Sequence, residues 1–234
     1  MKILDLLNEE QQHKTTGAIK HYSGKLKQSY DAFNDDKSGA FSSVKDDKTD
    51  PHMVKKYHHG PMDNDPDSEV GEDAYVYFAL WTAKKNVSNP CLPRIYDIKK
   101  IKDRTGKFIY RYQIEKLIPG SDLEPEELWH IMQRYFTKNE DFDATLQDVK
   151  RRIHNNHDMK TPILMMGRLC EMYIKGRSDS IKDESLKEAL DLIREFLQTY
   201  KNSKHFTLDI ENSGNIMFRR GPHGLQLVIT DPVS

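Results

Sequence analysis

Cysteine is nearly missing: Cys91 and Cys170 are the only two in 234 residues. Two thiols outside any metal-type spacing build neither a disulfide framework nor a zinc-ligand set, and they read as reduced residues in or near a core. Long apolar runs are missing as well. Hydrophobic residues make up 36% of the chain, and no stretch approaches the roughly 20 residues needed to span a bilayer. Met1 to Leu7 is only a short amphipathic start, without the apolar core of a signal peptide. Nor does one sign of charge dominate. Lys and Arg number 36 against 37 Asp and Glu, for a formal charge of -1, and the two signs are mixed along the chain. That balance argues against broad binding to nucleic acid or anionic membranes. The expectation is a soluble, cytoplasmic protein with enough apolar residues for a core.

The chain divides by texture. A polar region from Asn34 to Asp50 holds Asp-Asp-Lys-Ser-Gly and Lys-Asp-Asp-Lys-Thr-Asp-Pro, turns around a weak strand at Ala40 to Val44. His52 to Tyr57 reads as a short strand, followed by a Pro- and Asp-containing connection from His58 to Ser68. Glu69 to Lys84 is helical, with Ser68 as a candidate N-cap and an acidic first turn that suits the helix dipole. Arg94 to Ile98 and Lys107 to Ile114 are strand-like, with Phe108, Tyr110, Tyr112 and Ile114 alternating along the second. After Pro119-Gly120 the pattern becomes helical. Leu128, Ile131, Met132 and Tyr135 share one face. Thr161-Pro162 resembles a cap followed by proline at the first helical position. Leu186, Leu190, Ile193 and Leu197 recur at helical spacing, and these stripes form core by default. The expected class is α+β in two lobes: residues 1–115 with strands and one main helix near 69–84, and 116–234 largely helical. The two meet at a short linker, a common location for a cleft.

The last stretch carries the candidate chemistry. Asp209 precedes Asn215, which opens the apolar strand Ile216-Met217-Phe218; a second strand, Leu227 to Ile229, leads to Asp231. A hairpin would bring Asn215 and Asp231 to one rim. An amide oxygen and a carboxylate there are hard ligands suited to magnesium. The alternative is that Asn215 merely starts a strand and Asp231 caps a turn before Pro232. Asp209 is the candidate for orienting an acceptor hydroxyl, with Glu211 as a rival. In the front lobe Lys55 and Lys56 are strand neighbours and point to opposite faces, so only one faces inward; Lys55 is favoured. Glu72 and Glu69 are candidate partners for it at the start of the next helix. The stretch Ser38 to Ser43 is a weak phosphate-loop candidate. The histidines, among them His52, His58, His59, His154 and His157, lack a third ligand at suggestive spacing. Lys150-Arg151-Arg152 is read as a solvated helix face.

Ser213-Gly214-Asn215-Ile216-Met217-Phe218, followed by Ile229-Thr230-Asp231-Pro232-Val233-Ser234, resembles the early serine/threonine protein kinase of T7-type bacteriophages. Pro93-Arg94-Ile95-Tyr96-Asp97-Ile98 resembles a front-lobe strand of that family. Glu115 to Leu123 is similar to the hinge of protein kinases and small-molecule kinases. The resemblance implies a two-lobed protein-kinase-like fold, C-terminally abbreviated, since the family's activation segment and C-terminal extension do not follow Ser234. It implies an ATP- and Mg2+-dependent kinase in the host bacterial cytoplasm. Such an enzyme transfers the γ-phosphate to Ser or Thr of host proteins, including transcription or RNA-processing machinery, or to itself. Asn215 and Asp231 carry over as metal ligands, Asp209 as the catalytic acid, and Lys55, Glu72 and Glu115 as nucleotide-binding residues. Asp209 lies one residue further from Asn215 than in that family: either the loop absorbs an extra residue or Glu211 substitutes. A kinase-derived module that inhibits a host protein by direct contact, and a small-molecule kinase of the aminoglycoside type, are the other expectations.

Overall fold

The computed structural model describes residues 42–58, 74–85, 87–102, 108–137, 151, 160–202, 206–222 and 224–234. Within them the protein is α+β, with four α-helices and two antiparallel sheets. The chain forms two compact units. One comprises Met1–Lys84 and Arg94–Lys116, the other Lys85–Pro93 and Leu117–Ser234. Among the described residues no helix is long and apolar enough to cross a membrane.

The first unit is a four-stranded sheet carrying one helix. Its strands are β1 (Ser42–Asp46), β2 (Met53–His58), β3 (Ile95–Lys102) and β4 (Phe108–Glu115), in the order β1-β2-β4-β3. The helix, α1 (Ala74–Lys84), lies in sequence between β2 and β3. It is apolar on nearly every side, and Ala74, Tyr75, Val76, Phe78, Ala79, Leu80 and Trp81 are all buried. A helix of that character belongs in an interior rather than on a surface. Tyr75, Val76, Ala79 and Leu80 pack on Val54, Tyr110, Tyr112 and Ile114, which share one sheet face because side chains alternate along a strand. Tyr75 and Tyr112 meet edge to face at 5.4 Å between ring centroids, a geometry worth about 1 kcal/mol beyond area burial.

The second unit holds the other three helices, α2 (Pro125–Tyr135), α3 (Lys160–Ile174) and α4 (Glu184–Tyr200), and a three-stranded sheet. Its strands, β5 (Ile118–Pro119), β6 (Ile216–Gly221) and β7 (Gly224–Ile229), lie in that order. Proline occupies the first turn of α2, where its missing N–H costs nothing. Helix α4 starts at Asp183, whose carboxylate accepts the Leu186 N–H at 2.9 Å. It buries Leu186, Ala189, Leu190, Ile193 and Phe196, a stripe at helical spacing. The C-terminus of α3 closes on Gly176, whose φ of 66° few other residues accept. Arg194 of α4 donates to the Ile174 and Tyr173 carbonyls there, at 2.9 and 2.6 Å.

Candidate functional site

The hairpin of β6 and β7 pairs Ile216 with Ile229 and Phe218 with Leu227. Phe218, Leu227, Val228 and Ile229 have essentially no exposed surface, so the apolar faces fix the register. Asn215, one residue before β6, and Asp231, two residues beyond β7, therefore stand at the same end of the hairpin. The Thr230 N–H donates to the Asn215 carbonyl at 2.8 Å, and the Thr230 hydroxyl donates to the Gly214 carbonyl at 3.2 Å.

A second pairing brings Asp209 to this rim. Leu208 bridges Val233 in antiparallel fashion. Thr207 and Ser234 exchange both backbone bonds, at 2.7 and 2.9 Å, and the Asp209 N–H donates to the Pro232 carbonyl at 2.9 Å. Between these strands the loop 210–215 is held from two sides. Asn215, 9% exposed, donates its side-chain amide to the Asp209 carbonyl at 2.5 Å. Ile210 is fully buried, and its carbonyl oxygen would lie 2.5 Å from a Cβ placed on Gly167 of α3. Any larger side chain at 167 would strike the loop backbone. Within this loop Ile210 is an inward anchor and Glu211 is exposed.

The electrostatics follow from this crowding. Burial pushes the Asp209 carboxyl above its ordinary pKa, and the nearby Asp231 charge adds to the rise, while a hydrogen bond from the Asn215 side chain opposes it. Glu211 does not face that pair. Its carboxyl is also raised, chiefly through a hydrogen bond with the Glu171 side chain of α3. The rim thus holds two carboxylates with an amide beside them. The Asn215 nitrogen is engaged with Asp209, so the end of the amide suited to a hard cation is its oxygen. Among the described residues no group of three or more His, Cys, Asp or Glu side chains forms a metal site. An amide oxygen and a carboxylate fit Mg2+, which takes one or two protein carboxylates and fills its octahedron with water and phosphate oxygens. They suit zinc poorly, because its protein sites are built mainly from His nitrogen and Cys sulfur.

Compared with known proteins, the chain matches no family model, no curated sequence and no solved structure.

The remaining candidates lie in the first unit. Lys55 points away from α1 and pairs with Asp47 at 3.0 Å. Asp47 is buried. Hydrogen bonds from the Thr49 backbone and hydroxyl, then from Lys55, hold its carboxyl down at about 2, and Gln113 donates to it at 3.0 Å. The strand neighbour Lys56 lies on the helix-covered face opposite Tyr112. It is 8% exposed, with its ammonium 4.0 Å from the centroid of the Tyr75 ring. Alternation along β2 thus puts Lys56, and not the favoured Lys55, on the side of the sheet that α1 covers. Glu72 and Glu69 lie outside the described residues, as do Ser38 to Phe41. Residues 74–84 contain no acid. The Glu115 carboxylate is buried and accepts the Arg94 N–H at 2.8 Å, while its own N–H donates to the Arg94 carbonyl. Its side chain thus fastens the start of β3.

The sequence reading missed Gly167 and Ile210. A glycine in mid-helix costs about 1 kcal/mol relative to alanine and so signals a close approach, but nothing in one sequence says to what.

Proposed function

We propose that the protein is a kinase-like phosphotransferase whose Asn215 and Asp231 hold Mg2+ on the phosphates of ATP and whose Asp209 orients an acceptor hydroxyl. The observation that carries this reading is the convergence of Asp209, Asn215 and Asp231 on one end of the β6–β7 hairpin, with the Asn215 amide fixing Asp209. Bound magnesium would neutralise the charge that develops on the transferred phosphoryl group. The protein's own part is positional. The Leu208–Val233 bridge sets the spacing of the two carboxyls, and the buried Ile210 keeps the loop from drifting. Asp209, with its raised carboxyl, accepts a hydrogen bond from the acceptor hydroxyl and takes its proton.

The resemblance of residues 213–218 and 229–234 to the early kinases of T7-type phages supports a two-lobed kinase fold, and with it Ser or Thr of host bacterial proteins, or of the chain itself, as acceptors. For the phosphate lysine the reading favours Lys56 over Lys55, because Lys56 shares the face of β2 that α1 covers while Lys55 is paired with Asp47. The second reading is a kinase-derived protein that inhibits a host partner by contact.

Incubation with labelled Mg-ATP and a bacterial lysate separates the two. Label on the protein or on lysate proteins, absent with Asp231→Ala and with Asp209→Ala, supports the enzyme. No label with any acceptor supports the contact inhibitor.

A further inference from the structure

Arg219 of β6 is buried, with 7% of its surface exposed, and nothing in the proposed chemistry uses it. One terminal nitrogen donates to the Pro90 carbonyl at 2.5 Å and the other to the Leu92 carbonyl at 3.0 Å. The first also reaches the Gln226 side chain at 3.3 Å. The carbonyl between them, that of Cys91, accepts the Ile229 N–H at 2.9 Å. Three successive carbonyls, 90 to 92, thus accept from groups of β6 and β7: two from the Arg219 side chain and one from the Ile229 N–H. These residues join α1 to β3 in the chain and belong to the second unit. Arginine suits this task because its planar fork holds two donors at a fixed separation that bridges alternate carbonyls, whereas a lysine offers a single nitrogen on a flexible stem. On the same edge of β7 the Tyr135 hydroxyl accepts the Leu227 N–H at 3.3 Å, so β7 is held at Leu227 and at Ile229. Asp231 follows two residues later.

We infer that Arg219 is a positioning residue for Asp231, acting through the Pro90–Leu92 segment that braces the end of β7. This rests on the proposed role of Asp231 as a ligand to Mg2+ on a nucleotide. Without the fork, the carbonyls of residues 90 and 92 lose charge-assisted donors, the segment lifts, and the Ile229 N–H loses its acceptor. The hairpin and its register with β5 persist, because Phe218, Leu227 and Val228 remain buried.

The test is amide hydrogen exchange on the full chain, wild type against Arg219→Met and Arg219→Lys, with Arg220→Ala as a control whose side chain is exposed and paired with Glu127. Both Arg219 variants should speed exchange at Ile229 on the order of tenfold, the factor that corresponds to one lost bond of this kind. Residues 184–200 should keep wild-type protection, and Arg220→Ala should change neither region. The Mg2+ concentration that half-saturates ATP binding should rise on the order of tenfold as well. Wild-type exchange at Ile229 in both variants would overturn the inference. So would an acceleration shared equally by residues 184–200, which would mark a general loss of packing. The exchange arm needs no nucleotide. If the wild type binds no Mg-ATP, the proposed function fails while exchange at Ile229 still decides whether Arg219 braces β7.

Discussion

Replacing Gly167 with alanine should disable the site at a limited cost in stability. A Cβ at this position would lie 2.5 Å from the Ile210 carbonyl oxygen and 3.1 Å from the Glu211 Cα. Both atoms are backbone, so no rotamer change relieves the contact. Bringing the oxygen out to 3.4 Å, where ordinary contact begins, requires a displacement of about 0.9 Å, and the loop moved is the one that joins Asp209 to Asn215. Overpacking of this kind costs about 1–3 kcal/mol. Alanine returns about 1 kcal/mol through its better helix propensity. The net loss is then about 0–2 kcal/mol, a fall in Tm of no more than about 8 °C for a chain of this size. A misplacement near 1 Å in a catalytic group, by contrast, can lower a rate on the order of 100-fold. Thermal melting and phosphate transfer, measured on one preparation, give both numbers. An alanine variant with a full transfer rate would refute the claim that α3 sets the position of Asp209.

Two carboxylates should respond to pH in opposite senses. The folded pKa of Asp209 is raised, so its contribution to stability is present below the unfolded value and lost as pH rises through the folded one. Asp209→Asn should therefore melt higher than wild type at pH 7, lose that advantage below about pH 4, and abolish transfer; a variant that melts lower at pH 7 would contradict the burial argument. The folded pKa of Asp47 is lowered to about 2, so its contribution is present above the unfolded value and lost as pH falls through about 2. Asp47→Asn should melt below wild type at pH 7, with the gap closing between about pH 4 and pH 2; a gap independent of pH would point to packing instead. Asp183→Ala removes the cap of α4 and should cost about 1 kcal/mol, or roughly 2–4 °C in Tm by calorimetry; an unchanged Tm would show that the cap is dispensable.

Much of the architecture was legible because the periods were clean. The Leu186–Leu197 spacing marks α4, the alternation from Phe108 marks β4, and the apolar runs either side of Arg219–Gly224 mark the hairpin. The end of that hairpin was legible too, since antiparallel pairing alone places Asn215 near Asp231. What escaped was everything decided by contacts distant in sequence. Which lysine of β2 lies beneath α1 depends on strand register, and a shift of one residue exchanges Lys55 for Lys56. The Glu115 carboxylate bonds the Arg94 backbone, 21 residues earlier in the chain, a contact the sequence does not show. Nor does the sequence between Asp209 and Asn215 show that Ile210 is buried against Gly167 of α3. Arg219 sits in a strand beside a second arginine, and only the fold separates the buried one from the exposed Arg220.

The most direct test of the account is calorimetric titration of the protein with ATP, in Mg2+ and in EDTA, beside Asn215→Ala and Asp231→Ala. The account predicts binding that requires Mg2+ and weakens on the order of tenfold or more in each variant, the loss expected for a ligand to a charged group. Binding unaffected by EDTA and by both substitutions, or no binding in the folded wild type, would contradict it.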